Sequence, residues 1–462
     1  LIVKAAAGGG GRGMRVGRSR DELDDAIQAA QREAKAAFGD DTVYLERYVE
    51  RPRHVEIQLL ADSHGTVVSL GERDCSVQRR HQKVLEESPS PALDPELRAR
   101  MSEAAVAFAR AIGYRSAGTV EFMLAGREFF FLELNGRIQV EHPVTELVTG
   151  RDLVADQIRI AAGEPLGFTQ RDVRPRGHAI EVRLYAEDAD AGFLPAIGSI
   201  LTLDWPTGDG IRVDAGVVAG DEVGGRFDPM LAKVVAHGAD RREALRRLTA
   251  ALDATVILGL TTNLRFLRWL VRRPEVVRGE ARIDTLDRIW PPSDGALTEI
   301  PDAVWSEAAR LLDAGGLRVN GPARARLIAD DWPERSVAVG SAPPDPAIAA
   351  VVDGLTAHLD VGGRSVGFSV APPPDVDRAA KAAAAHAAGG GPADVLAPMP
   401  GVVIAVHAAA GDVVELGDAV VTLEAMKMEH AALSPRAGRL SDILVAVGDQ
   451  VVRGQLLATV GD

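Results

Sequence analysis

Alternation of apolar and polar positions organises the first 290 residues. "LIVKAAAGGGG" (1–11) reads as a strand that enters a glycine loop. Ser19 and Glu22 have capping-box spacing, and the amphipathic stretch behind them predicts a helix to about Phe38. "HVEIQLLAD" (54–62) and "TVVSLGERD" (66–74) alternate as strands, with a turn at Ser63–His64–Gly65. "PELRARMSEAAVAFARAIG" (95–113) has helical periodicity and leads into the hairpin "GTVEFML-AGR-EFFFLELN" (118–135). Helix and strand keep alternating to about residue 290, which gives an α+β fold class. From about 293 to 385 the pattern is weak and mixed, and the Ala/Pro/Gly-rich 372–393 reads as a linker.

The chain closes in short strands and glycine turns that repeat at an offset of 37: "AAGDVVELGDAVVTLEA" (409–425) aligns with "AVGDQVVRGQLLATVGD" (446–462). Leu396, Pro398 and Gly401 align likewise with Leu433, Pro435 and Gly438. Two half-units that cannot bury a core alone should pair into one flattened all-β barrel or sandwich with a pseudo-twofold axis. Between the halves, where a hairpin tip is expected, lies "EAMKMEH" (424–430). A methionine pair is ordinarily core filler. Here Met426 and Met428 flank a lysine at a turn, and a lysine displayed on a rigid tip suits covalent modification.

Composition narrows the class. At 462 residues the chain has room for about three domains. Apolar residues make up 46% and charged residues 26%, and the mean hydropathy of +0.01 is that of an ordinary globular protein. A net charge of −14 with no basic stripe argues against nucleic acid. No apolar run reaches the ~20 residues of a membrane span and no signal peptide is visible. The single cysteine, Cys75, excludes an intrachain disulfide and suits a reducing compartment.

Two further stretches carry chemistry. Gly8 to Gly13, "GGGGRG", reads as a glycine lid whose N–H groups approach phosphates without Cβ interference, with Lys4 on the strand feeding it as point charge. It lacks both the helix of a dinucleotide fold and the G-K-[ST] ending of a P-loop. In the hairpin, Glu121 and Glu133 should share a face of neighbouring antiparallel strands, with Asn135 and Arg137 continuing it. Two carboxylates and an amide oxygen form a hard-oxygen set suited to Mg²⁺ or Mn²⁺ on nucleotide phosphates. Phe129 and Phe131, read on the same side, should partly cover that face.

"ELNGRIQVEHPVTE", "RDCSVQRRHQK" (73–83), "RPRHVEIQ" (51–58) and "GHAIEVRLYAED" (177–188) resemble biotin carboxylase, of the ATP-grasp superfamily, over residues 1 to about 290. "AMKM" and its flanking repeat resemble the biotin carboxyl carrier domain; lipoyl domains usually lack the methionine flanks, so biotin on Lys427 is favoured over lipoate. The resemblance implies a partial ATP-grasp lid at 1–48, the ATP-grasp and C-terminal carboxylase subdomain at 49–290, a linker or subunit-docking region at 291–371, the linker at 372–393 and a biotinyl barrel-sandwich at 394–462. It assigns Lys4, Gly8, Gly9, Gly10, Gly11, Gly13, His54, Gln78 and His81 to nucleotide binding and Glu46 to Val49 to the hinge beside adenine. Glu121, Glu133 and Asn135 become the metal ligands. Lys83 and Arg137 hold bicarbonate in a pocket shared with Gln139 and Val140, Glu141 is the general base, and Arg183 stabilises the biotin enolate. Gly136 departs from the family's threonine, with a small effect expected.

The implied reaction is ATP-dependent carboxylation of carrier-bound biotin by bicarbonate through carboxyphosphate. The implied setting is the alpha subunit of an acetyl-, propionyl- or methylcrotonyl-CoA carboxylase in a hetero-oligomer with a carboxyltransferase beta subunit. Biotin protein ligase would load Lys427, in the cytoplasm or, in a eukaryote, the mitochondrial matrix. Pyruvate carboxylase would insert a long barrel before the carrier and is disfavoured. Because family members have an α/β subdomain ahead of the position of Leu1, the chain also reads as a truncated piece, and the competing reading is an inactive biotin carrier and assembly scaffold.

Overall fold

Three strands, β1 (Ile2–Ala5), β2 (Arg15–Val16) and β3 (Val43–Glu46), form a small antiparallel sheet in the order β2-β1-β3. The computed structural model describes residues 1–7, 14–80, 82–292, 299–313, 324–330, 332–339, 345–372, 393–425, 428–452 and 454–461. Helix α1 (Arg20–Phe38) lays Ala26 and Ala30 against Val3 of β1. Its start is capped as the spacing predicts: Ser19 Oγ accepts from the Glu22 N–H at 3.2 Å. The returning Glu22 carboxylate accepts from Arg18 N–H at 2.8 Å, one residue earlier than a capping box requires.

The body is an eight-stranded antiparallel sheet. Its strands are β4 (Arg53–Ala61), β5 (Val67–Arg79), β6 (Gln82–Ser88), β7 (Ser116–Ala125), β8 (Glu128–Asn135), β9 (His178–Tyr185), β10 (Ile211–Ala215) and β11 (Met230–Gly238). They lie in the order β10-β11-β9-β6-β5-β4-β7-β8. Period-2 alternation gives the sheet two different faces. Val55, Ile57, Leu59 and Val120 pack under helix α2 (Pro95–Ala111), and Ile180, Val182, Val234 and Ala236 belong to the core that includes Ala244 and Leu248 of helix α4 (Arg241–Ala254). The residues between them, Glu56, Gln58, Arg73, Glu86, Glu121, Glu181 and Arg183, share the opposite face, which helix α3 (His142–Thr149) covers in part.

One expectation fails here. Glu121 does stand opposite Glu133, but the register slips between Glu121 and Phe122, so Leu132 is an extra residue and Phe122 pairs with Phe131. A one-residue bulge reverses which face each later side chain meets. Phe129 and Phe131 therefore turn to the α2 side, with ring centroids 5.3 Å from Phe122 and 5.0 Å from Phe108 respectively. The polar face is lined instead by Met123 and Leu132.

Gly177, at the entrance to β9, has φ +69°, and a Cβ built there would lie 2.2 Å from the Gly238 carbonyl oxygen. Gly177→Ala should therefore cost about 2 kcal/mol or more, combining left-handed strain with a backbone clash, and be read as a lowered thermal midpoint.

Residues 302–371 contain more structure than their weak pattern suggests. Helix α5 (Asp302–Leu311) packs on a five-stranded antiparallel sheet, β13-β12-β16-β15-β14, built from β12 (Arg324–Ala329), β13 (Trp332–Ala338), β14 (Ala350–Asp353), β15 (Thr356–Val361) and β16 (Arg364–Val370). Trp305 meets Phe368 edge-on at 5.1 Å in its core.

The C-terminal repeat becomes two facing sheets. The first half supplies β17 (Ala393–Leu396), β18 (Gly401–Val406), β19 (Val413–Val414) and β20 (Ala419–Ala425); the second supplies β21 (Met428–Leu433), β22 (Gly438–Ile443), β23 (Gln450–Val451) and β24 (Leu456–Gly461). The sheet orders are β17-β24-β22-β19 and β21-β20-β18-β23, so exchanging the halves converts one sheet into the other, as a pseudo-twofold requires. β20 and β21 pair as far as Ala425 opposite Met428. Met426 and Lys427, between them, lie outside the described residues. Among those residues no helix is long and apolar enough to cross a membrane.

Candidate active site

A cavity of about 510 Å³ opens between the small N-terminal sheet and the polar face of the large one. It is lined by Lys4, Glu46, Val49, His54, Gln78, Lys83, Glu121, Glu133, Asn135, Arg137, Gln139, Val140, Glu141 and Arg183. Every described residue singled out from the sequence for this chemistry thus meets in one space. Gly8, Gly9, Gly10, Gly11, Gly13, His81 and Lys427 lie outside the described residues.

The cavity's wall is a chain of ionic contacts. Lys83 Nζ donates to Glu56 Oε2 at 2.6 Å, Glu121 Oε1 at 3.0 Å and Glu141 Oε1 at 2.5 Å. Burial works against its charge, but Glu56 and the neighbouring acids outweigh it and hold the ammonium well above its usual range. Arg183 Nε donates to Glu86 Oε1 at 2.6 Å and its NH2 to Glu141 Oε2 at 3.1 Å. Glu141 is thus clamped by one cation on each oxygen. It sits at the N-terminal edge of α3, and Lys233 donates to the preceding carbonyl, that of Val140, at 2.9 Å.

Glu121 is held from three sides, by Lys83, by Gln139 Nε2 at 2.8 Å and by His54 Nε2, which lies 2.9 Å from Oε2. Burial alone would favour the neutral acid, yet His54 and Lys83 prevail and keep it ionised far below the usual carboxylate range. Glu133, its Cα partner, is exposed to the cavity and accepts from Asn135 Nδ2 at 3.2 Å. Two ionised carboxylates opposite each other on neighbouring strands repel unless a cation lies between them, so this donor set fits a divalent metal ion. Arg137 is exposed, and among the described contacts its guanidinium donates only to the Ile138 carbonyl. Its remaining donors are available for an oxyanion. Lys4 reaches Glu46 at 2.5 Å across β1 and β3.

Several residues of this network were not assigned roles from sequence: Glu56, Gln58, Arg73 and Glu181, which the motifs contain, and Glu86, which lies just beyond one of them. Arg73 is fully buried. Its Nε donates to Glu56 at 2.6 Å, one terminal nitrogen to Gln58 and Thr145 at 2.7 and 3.0 Å, and the other to Thr119 and Gln139 at 3.2 and 2.9 Å. The available signal was charged residues at period 2 inside strands whose other face is apolar.

A sheet whose polar face gathers a metal-type oxygen set, a doubly clamped carboxylate and the free guanidinium donors of Arg137 suits an ATP-dependent ligase of the ATP-grasp type. Residues 1–169 match the ATP-binding domain of carbamoyl-phosphate synthase L chain, 181–288 the biotin carboxylase C-terminal domain and 393–460 the biotin-requiring enzyme domain. The mitochondrial methylcrotonoyl-CoA carboxylase subunit alpha of Dictyostelium discoideum is 36% identical over 100% of this chain and 74% of its own length. The propionyl-CoA carboxylase alpha chain of Ruegeria pomeroyi is 37% identical over 98% and 76%. The biotin carboxylase domain of Hydrogenobacter thermophilus 2-oxoglutarate carboxylase, solved with MgADP, ADP and bicarbonate, superposes with a TM-score of 0.60 at 43% identity, covering 62% of this chain and 64% of that one. The chain belongs to the family of biotin carboxylases and acyl-CoA carboxylase alpha subunits, ATP-dependent ligases that use biotin, ATP and Mg²⁺. The carrier-only reading is not favoured.

Proposed function

We propose that this cavity takes ATP and bicarbonate and carboxylates biotin carried on Lys427, as part of an acyl-CoA carboxylase alpha subunit. The observation that carries the reading is Glu141, bound by Lys83 on one oxygen and Arg183 on the other beside the free donors of Arg137. Glu121, Glu133 and Asn135 would hold Mg²⁺, which supplies charge neutralisation at the transferring phosphoryl group. Lys4, with Glu46 and Val49 on the same wall, would bind the nucleotide. Arg137 holds bicarbonate through paired N–H donors, which places its hydroxyl for deprotonation by Glu141. Lys83 orients Glu141 and adds positive charge beside the same anion. Biotin supplies the nitrogen that accepts the carboxyl group, and Arg183 fixes a cation where its ring oxygen gains negative charge. A biotin protein ligase would load Lys427, and a carboxyltransferase beta subunit would take the product onward, with residues 302–371 as the docking unit between subunits. Buried, unpaired Cys75 suits a reducing compartment, cytoplasm or mitochondrial matrix.

The test is bicarbonate- and biotin-dependent ADP release by the full chain. Release that requires both co-substrates is expected; ADP release indifferent to bicarbonate would overturn the reading. Lys427→Ala should in addition remove the mass increment of one biotin from the intact protein after incubation with biotin protein ligase, while free biotin is still carboxylated. A biotinylated Lys427→Ala variant would place the attachment elsewhere.

A further inference from the structure

The polar face of the large sheet holds more buried acid than fixed base. Among the described residues, Glu56, Glu86, Glu121, Glu141 and Glu181 are buried on or beside it, against the permanent cations Arg73, Lys83, Arg183 and Lys233. Lys83 serves Glu56, Glu121 and Glu141, and Arg183 serves Glu86. Glu181 is the carboxyl left over: both its oxygens are buried with no donor on them, and so is Oε2 of Glu86. Glu86 and Glu181 are Cα partners across β6 and β9. Their side chains therefore rise from the same face about 5 Å apart at Cβ. Two carboxylates so placed away from water do not both ionise. Burial, reinforced by Glu86, pushes Glu181 well above the usual carboxylate range, and Lys233 and Arg183 only partly oppose it.

We propose that Glu86 and Glu181 share one proton, held on Glu181 at rest, and that Glu181 is thereby a positioning residue that sets how much of the Arg183 charge reaches the cavity. The role rests on the reading of Arg183 given above. With the proton on Glu181, Glu86 is a carboxylate and draws the guanidinium back into the sheet. When an anionic oxygen arrives at Arg183, the O–H bond of Glu181 breaks and an O–H bond forms on Glu86 Oε2. The negative charge passes from Glu86 on β6, the carboxylate that holds the Arg183 guanidinium, to Glu181 on β9, which accepts no hydrogen bond from it, and no proton enters or leaves. The other groups around the pair are Tyr185 on the same strand as Glu181, Lys83 on β6, Lys233 on β11, and Glu141 at the start of α3. Behind them Arg212 binds both Asp214 and Glu146, so neither supplies free charge.

Glu181→Gln tests this, because glutamine matches the neutral acid in shape but cannot pass a proton. Infrared difference spectra of the wild type and variant at neutral pH should show a protonated-carboxyl band in the wild type that the variant lacks. The kcat for carboxylation of biotin should fall about tenfold, with KM for ATP and the thermal midpoint unchanged. The alkaline fall of the wild-type rate, where the pair loses its shared proton, should be absent from the variant's profile. A missing band, or a variant with wild-type kcat and pH profile, would overturn the proposal. A wild type without biotin carboxylation would instead overturn the reading of the cavity, and the infrared band would then still decide whether the pair holds a proton.

Discussion

Glu141→Gln should lower bicarbonate-dependent ADP release by about a thousandfold, in the middle of the range for loss of a positioned general base. The size follows from how the carboxylate is held. Its two oxygens lie 2.5 Å from Lys83 and 3.1 Å from Arg183. Glutamine keeps one acceptor oxygen and must turn its NH₂ toward one of those cations, so the substitution removes the proton acceptor and also disturbs a neighbouring donor. Lys83 retains Glu56 and Glu121, and Arg183 retains Glu86, so the wall itself should stand. The loss should therefore appear in kcat with bicarbonate while nucleotide binding and the thermal midpoint stay near those of the wild type. Retention of most of the bicarbonate-dependent rate would remove Glu141 from the role of base.

What the sequence made legible divides along physical lines. The carrier repeat was readable because its offset of 37 is covalent information: Gly401–Val406 and Gly438–Ile443 are the same strand in two halves, and the sheets exchange under that shift. Glu121 opposite Glu133 was readable from hairpin symmetry. The side of Phe129 and Phe131 was not, because a bulge at Leu132 leaves no mark in a run of apolar residues. The sheet at 324–370 was hidden for a different reason. Its strands are four to seven residues long and its core draws on α5, so no short window shows the full apolar set. The ionic wall was half readable. Glu56, Arg73, Glu86 and Glu181 sit in strands far apart in the chain, and only the order β9-β6-β5-β4 brings them together.

Arg73 makes the most demanding prediction of that wall, because nothing about it is visible in a single strand. Its guanidinium is fully buried and all five N–H donors find acceptors on Glu56, Gln58, Thr119, Gln139 and Thr145. A cation placed so deep recovers its desolvation cost only through such complete pairing. Arg73→Met keeps the volume and abandons every partner. Glu56 loses one of its two cations, and the buried amides of Gln58 and Gln139 lose their donors. Removal of one member of a buried pair costs about 3–5 kcal/mol, a large part of the 5–15 kcal/mol that holds a domain folded. Arg73→Lys keeps the charge but offers three donors in place of a fork of five, so it should recover only part of that loss. Urea unfolding of the full chain checks this, with the carrier sandwich as an internal reference whose transition should not move. The loss should reach the chemistry as well. Gln139 gives one amide hydrogen to Glu121 and takes one from Arg73, so its release should raise KM for MgATP. A variant with an unchanged urea midpoint would show that the five hydrogen bonds merely offset the cost of burying the charge.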